Sequence, residues 1–322
     1  MKRKKCGHYS GIGGQAVLEG IMMKNKSRYA VAVRKPDGEI EVDVEEYDGI
    51  MHGNVLTKIP FVRGVFNFVD SLALGMKTLN YSASFYEDED AEETATDKAF
   101  SKLFKDNAEK VLIGLTMVFS MILAIAIFML LPYGLTLLLE KYIRNASLLA
   151  ITEGVIRIII FVVYVVAISL MQDIKRVYQY HGAEHKCINC IERGRELTVE
   201  NVRKSSRQHK RCGTSFMLLV MLVSVILFFF IRVDNPLARL GLRVALIPVI
   251  AGISYEIIRL AGKSNHILVR IVSAPGMWLQ RLTTKEPEDD MIEVAIAAVE
   301  AVFDWKTYLR DEFGYEVDET RE

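Results

Sequence analysis

Residues 111–139 read VLIGLTMVFSMILAIAIFMLLPYGLTLLL, an uncharged run between Lys110 and Glu140. At about 1.5 Å per residue, a helix of that length exceeds the roughly 30 Å of bilayer hydrocarbon. The run decides the fold class: the chain reads as an α-helical polytopic membrane protein. Pro132 is expected to kink this helix or end it near the far interface. The flanking sequence repeats the pattern. A second span is expected over 151–172, with Glu153 and Arg157 confined to its first turns. A third covers 212–231, uncharged between Arg211 and Arg232, and a fourth covers 240–262, interrupted by Arg243, Glu256 and Arg259. About four transmembrane helices result. The overall composition, 51% hydrophobic and 25% charged with zero formal net charge, would not separate soluble from membrane protein; the distribution does.

Basic residues next to the spans set the orientation. Lys2, Arg3, Lys4 and Lys5 open the chain, and ten Lys or Arg between Lys175 and Arg211 stand against four glutamates. The opposite loops carry only Lys141 and Arg144, and Arg232 and Arg239. Both termini and the central loop are therefore expected in the cytosol of a multi-pass cell-membrane protein. The first residues lack the apolar stretch of a signal peptide. Cys6, Cys187, Cys190 and Cys212 all fall on the cytosolic side, where disulfides are disfavoured.

Six segments organise the chain. Residues 1–60 form a small β-rich cytosolic N-terminal element: 15–20 is a candidate strand, and alternation over 29–33 and 39–44 around Lys35-Pro36-Asp37-Gly38 predicts a hairpin. In 61–110 an amphipathic helix, with Val62, Val65, Phe66, Val69, Leu72, Ala73, Met76 and Leu79 on one side, is followed by an acidic tether over 87–97. That helix is expected to lie on the bilayer or pack on the bundle. Residues 111–172 hold the first two spans, 173–211 the basic loop, and 212–262 the last two spans. Residues 263–322 are a cytosolic helical region, in which Pro275-Gly276 reads as a short connector and Pro287-Glu288-Asp289-Asp290 opens a helix.

The basic loop contains His181-Gly182-Ala183-Glu184-His185, the H-x-x-E-H spacing of inverted zinc peptidases. On a helix the two imidazoles sit one turn apart and can share a metal, while Glu184 beside them can take a proton from water. The topology brings His209 and Cys212 to the same level at the start of the third span. The expected ligand set for a divalent metal, most simply zinc, is His181, His185, His209 and Cys212, with Glu184 as general base or as an orienting carboxylate. Glu256, inside the fourth span, is a further candidate ligand; a salt bridge to a basic residue at the helix ends accounts for it equally well. A rival closed site would use Cys187-x-x-Cys190 with His209-x-x-Cys212 at near zinc-ribbon spacing. Gly11-Ile12-Gly13-Gly14 lacks the Gly-Lys-Ser/Thr ending of a phosphate loop and reads as a tight turn.

The chain resembles the YqhQ-like family of bacterial membrane proteins, described as predicted metal-dependent enzymes of unknown function. The resemblance covers nearly the whole chain. It rests on Gly13-Gly14-Gln15-Ala16-Val17 through Glu19-Gly20 and Met22-Met23, on Tyr180 through Lys186, and on Arg211-Cys212-Gly213-Thr214-Ser215-Phe216. It continues in Gln280-Arg281-Leu282-Thr283-Thr284 and Ile292-Glu293-Val294-Ala295-Ile296. Lys210 stands where the family pattern usually has proline, and Cys187 and Cys190 are not part of that pattern. The resemblance implies a metal-dependent membrane protein without naming its reaction.

Two functions follow from these residues. With three ligands and Glu184 activating water, the protein would hydrolyse a lipid-linked or peptide substrate at the inner membrane face. With a closed site, it would be a scaffold whose basic loop docks a cytosolic partner such as a ribosome or a membrane-protein complex. The bilayer is a partner in either case. Sequence-specific nucleic-acid binding is not expected, because the positive-inside bias already explains the basic loop. A transporter is disfavoured by the lack of paired charges deep in the spans.

Overall fold

In the computed structural model, the described residues are 8–49, 55–86, 108–231, 233, 235–263 and 266–314. The N-terminal lysines, Cys6, His52 and the acidic tether lie outside them. The chain divides into two units: Met1–Tyr86, Val165–Ser224 and Arg232–Glu322 form the first, and Glu87–Tyr164 with Val225–Ile231 the second.

The first unit is built on an antiparallel meander, β1 (Ile12–Val17), β2 (Gly20–Asn25), β3 (Arg28–Arg34) and β4 (Ile40–Glu46), in the order β1-β2-β3-β4. The expected hairpin is β3–β4, with Arg34 opposite Ile40. Strand periodicity sorts its side chains onto two faces. Ile12, Ile21, Met23, Ala30 and Ala32 face one core, with Tyr180, Cys187, Ile188, Met291, Ala295 and Val299. Val17, Met22, Tyr29, Val31 and Val33 face another, with Leu74. The helices behind the first core are α5 (Gln172–Glu192) and α11 (Asp289–Val302); behind the second is α1 (Val62–Ala83). The apolar row of β4 is less covered than alternation suggests: Val42 and Val44 stay exposed at the sheet edge.

α1 forms where its periodicity predicts, but it buries a different stripe. Gly64, Leu74, Gly75, Thr78 and Ser82 face inward, while Val69, Leu72 and Leu79 of the expected apolar side are exposed. Close approach explains the choice. A Cβ at Gly64 would meet Tyr255 Cβ at 2.7 Å, and one at Gly75 would meet Gln15 Oε1 at 2.5 Å.

The expectation of four spans is met in part. Among the described residues, two helices are long and apolar enough to cross a membrane. The first, Gly114–Leu139, combines α2 (Ala108–Ile125), a π-helical turn over Ala126–Leu130, and α3 (Leu131–Leu139). Pro132 therefore neither ends the run nor breaks it; the wide turn before it absorbs the missing N–H and the ring. The second is α4 (Ala146–Ser169). α7 (Gly213–Phe229) is apolar but only 17 residues long, because the ends of the uncharged stretch are not helical. At about 1.5 Å per residue it falls short of the hydrocarbon thickness. α8 (Pro236–Ala245) and α9 (Ile247–Lys263) make a pair bent by 42°, which could count as a third span. Pro248, in the first turn of α9, cannot donate to the preceding turn, and its ring crowds the carbonyl four residues back.

Within the second unit Phe128 meets Phe161 and Tyr164 edge-on, and Arg157 bonds Glu153 one turn back at 2.8 Å. The expected connector at Pro275-Gly276 is instead helical: α10 runs Ile267–Thr283 with Pro275 inside it. The glycine lets this helix approach Ser215, whose Cβ would lie 2.7 Å from a Cβ at Gly276. α12 (Trp305–Phe313) follows α11, and α6 (Val199–Arg203) lies in the basic loop.

Candidate metal centre

Helical spacing puts His181, Glu184, His185 and Glu192 along one face of α5. The helix can sit close to its neighbours because two glycines are in place. A Cβ at Gly182 would lie 2.0 Å from Lys285 O, where the segment after α10 crosses the helix and Lys285 N–H donates to Tyr178 O at 2.8 Å. A Cβ at Gly14 would meet Glu184 Cγ at 2.9 Å and Met22 O at 2.7 Å. At the β1–β2 turn the Glu19 carboxylate takes Arg176 and, at 3.2 Å, the Tyr180 hydroxyl, so the sheet is tied to the start of α5.

His181, His185 and Cys212 converge, each with a ligand atom within 4.8 Å of the others. His181 Nε2 lies 3.2 Å from Cys212 Sγ, and the two imidazole centroids are 4.4 Å apart. The other ring nitrogens are held by backbone carbonyls: His181 Nδ1 donates to Thr283 O at 2.9 Å, and His185 Nδ1 donates to Arg207 O at 2.7 Å. A carbonyl can only accept, so both Nδ1 atoms carry the proton and both Nε2 atoms are left as the ligand positions. Cys212 Sγ is stabilised by Thr214, whose N–H reaches it at 3.4 Å and whose hydroxyl lies at 3.0 Å.

Charge favours a thiolate here. Burial alone would raise the Cys212 thiol, but His181 and His185 override it and hold its pKa well below the ordinary value. Burial would lower His181, yet Cys212 beside it raises the imidazole to about 9. The Glu184 carboxyl is raised by burial, with both imidazoles opposing. It lies 3.9 Å from His181 Nε2 and is 5% exposed. Two imidazole nitrogens and one thiolate fit zinc, whose ligand atoms stand about 3.5 Å apart in a tetrahedron.

The other candidates sit differently. His209 is beside the cluster, its ring centroid 5.6 Å from that of His185, but its Nε2 lies 3.6 Å from Glu192 and it is outside the three-residue group. Burial lowers its pKa. Glu256 is taken by Arg63, at 2.7 and 2.6 Å, and accepts from Phe61 N–H at 3.3 Å. Cys187 and Cys190 lie fully buried in the apolar core, so among the described residues they form no group with His209 and Cys212. Burial raises both thiols, Cys190 to about 11.

Sequence reading missed the bracing residues. Gln280, fully buried, accepts from His209 N–H at 2.8 Å and donates to His209 O and Ser215 Oγ, both at 2.7 Å. Thr283 supplies the carbonyl for His181 and reaches Thr214 Oγ1 at 3.3 Å. Glu192 accepts from Arg211 at 2.6 Å and from Ser10 Oγ at 2.8 Å. Burial would raise its carboxyl, but His209 and Arg211 hold it at about 2. Gln280, Thr283 and Thr214 lie in the strings that carry the family resemblance, and Glu192 lies seven residues, two turns, beyond His185.

Two cavities meet at the cluster. One of about 250 Å³ is lined by Tyr9, Gly11, Gly13 and Gly14, His209 and Arg211; the glycines expected as a tight turn run instead into β1, where Gly13 and Gly14 pair with Lys24 and Met23. The other, about 550 Å³, runs between α1, α5, α7 and α9. His181, Glu184 and Cys212 line both.

Fold and cluster together define a mostly helical protein with apolar helices of membrane-crossing length and a His–His–Cys group in which His185 and Cys212 are buried and His181 is partly exposed. The family profile "Protein of unknown function (DUF1385)" matches residues 59–305, and the chain belongs to that family. It is 39% identical over 291 residues to "Uncharacterized protein YqhQ" of Bacillus subtilis (strain 168), covering 88% of this chain and 89% of that protein. None of the solved structures matches.

Proposed function

We propose that the protein is a zinc-dependent membrane hydrolase whose site faces the cytosol at the membrane interface. The observation that carries this reading is the cluster of His181, His185 and Cys212, with both Nδ1 protons fixed on backbone carbonyls. Carbonyl-oriented imidazoles are the usual support of metal ligands. His181, His185 and Cys212 would hold the ion, three protein ligands being the number a catalytic zinc site uses. Zinc, when bound, would supply an acidified water and a polarised substrate carbonyl. Glu184 lines both cavities and does the proton transfer. It takes the proton from the attacking water and returns it to the leaving group as the acyl bond breaks. His209 serves as support, turned to Glu192 and clamped through its backbone by Gln280.

In this reading α7, extended by the uncharged residues at its ends, and the α8–α9 pair cross with the two longer helices, and the four crossings place both termini and residues 173–211 in the cytosol. A cysteine at Tyr142, which is 73% exposed, should react with an impermeant thiol reagent outside intact cells, and one at Glu200 should not. Labelling at Glu200 from outside overturns the orientation.

The decisive variant is Glu184→Gln, which keeps size and removes the basic oxygen. It should retain zinc and the fold but fail to complement a deletion strain, since a proton-transfer group contributes about 10²–10⁴ in rate. Full complementation with zinc retained would sink the hydrolase. The scaffold with a closed site, docking a cytosolic protein or ribonucleoprotein through the basic loop, would then be the better account.

A further inference from the structure

The wall of the 550 Å³ cavity says what kind of molecule reaches the cluster. Its volume lies within the roughly 300–1,000 Å³ of small-molecule sites. Phe68 and Leu72 of α1, Val177 of α5, Phe216 and Met217 of α7 and Ile258 of α9 supply its apolar surface. Phe68 and Phe216 pack with their rings tilted by 39° and their centroids 5.4 Å apart. Phe68, Leu72 and Met217 are 37%, 44% and 50% exposed, so the rim is apolar and open.

A peptide in this cavity would bury backbone donors and acceptors, each of which needs a partner. The polar side chains from α1, α7 and α9 are already committed. Asn67 donates to the Tyr255 hydroxyl at 2.9 Å, Ser71 donates to Asn67 O at 2.8 Å, and Thr214 is engaged with Cys212. An acyl chain asks for no such partners. The position fits the same occupant: the cavity spans the first turn of α7 and the last turns of α9, where two apolar helices end. The 250 Å³ cavity shares the cluster and Arg211 with the larger one and adds Tyr9, Gly11, Gly13 and His209, a more polar and backbone-rich lining.

We infer that the substrate is a membrane amphiphile: its acyl chain lies in the larger cavity, its polar head in the smaller one, and the bond between them at His181, Glu184 and Cys212. The assignment of that bond rests on the zinc-hydrolase reading; the seating of the chain does not.

The test uses the full chain in vesicles containing phosphatidylglycerol with a diazirine in the acyl chain. After photolysis, adducts should map to residues 68–72 and 216–217. Leu72→Trp, which fills the cavity, should reduce adducts at Phe68 and Phe216 at least fivefold and leave those in Gly114–Leu139 unchanged. Met217→Trp at the half-exposed rim should do the same, and it decides the question if Leu72→Trp melts early. Adducts at Phe68 and Phe216 that are no stronger in the wild type than in a folded Trp variant would overturn the proposal, leaving the cavity in contact with bulk lipid only. Zinc analysis of the same preparations keeps the two ideas apart. Zinc-free wild-type protein with cavity adducts removes the hydrolase reading and keeps the chain site; zinc without cavity adducts does the reverse.

Discussion

One helix, α5, carries two sets of residues with metal-ligand chemistry, and their fates differ. On one side His181 and His185 meet Cys212, with polar braces behind them. On the other, six residues from His181, Cys187 disappears into an apolar core, and Cys190 offers its thiol to the backbone carbonyls of Glu196 at 3.3 Å and Arg195 at 3.9 Å. Residue type does not separate them, since thiols and imidazoles both bind zinc. What separates them is the neighbour each face meets. Backbone carbonyls and a second helix start gather the ligand-type groups of one face into a cluster, while Met291, Ala295 and Val299 of α11 make the other a core. The thiols are driven apart: burial pushes both up, but at Cys212 the two imidazoles outweigh it and lower the pKa, while at Cys187 burial raises it.

The strongest way to break this contrast is to remove a ligand from the first face. His185→Ala should weaken zinc binding roughly 10²–10³-fold, given the size of metal-binding free energies shared among few ligands. Elemental analysis after dialysis against a chelator reads it, and undiminished zinc would place the metal elsewhere. Next in size is Gly182→Ala. The added methyl would collide with Lys285 O, and backbone cannot swing aside as a side chain can. The expected loss is about 3 kcal/mol, seen as a lowered melting temperature. A neutral outcome would mean that the segment after α10 does not cross the helix there.

Glu192 sharpens the contrast through pH. Its carboxyl is held at about 2, below its ordinary value, so its ion pairs stabilise the fold above pH 4.5. That contribution, on the order of 3 kcal/mol, is lost as pH falls from 4.5 towards 2. Wild type should therefore out-melt Glu192→Gln at pH 7, and the gap should close at the acid end of that window. A gap independent of pH would assign the effect to packing. The smallest effect on metal belongs to the other face. Cys187→Ser with Cys190→Ser should leave zinc content unchanged, at a stability cost of about 1–3 kcal/mol for burying hydroxyls. Loss of a full equivalent would restore the ribbon-like site.

Much of this was legible beforehand because it depends on local periodicity. The hairpin β3–β4 follows from alternation around a Pro-Asp-Gly turn, α1 from its helical repeat, and the pentad's geometry from 3.6 residues per turn. The bracing shell was not legible. Gln280 lies 71 residues from the backbone it clamps, and nothing in a glutamine's neighbours announces such a partner. His209 and Glu256 show the same limit: both have ligand chemistry, and each is claimed by a partner on another segment, Glu192 and Arg63.

By itself the sequence determined the apolar helices, the small sheet and the spacing that sets His181 and His185 one turn apart, because each is a property of consecutive residues. Only the tertiary structure decided which stripe of α1 is buried, that α7 stops short and α8–α9 bends, and which candidate ligands share a centre. Those outcomes turn on contacts within a few ångströms between distant segments. There a missing Cβ at Gly14 or Gly182, or one carbonyl aimed at an imidazole, outweighs residue type.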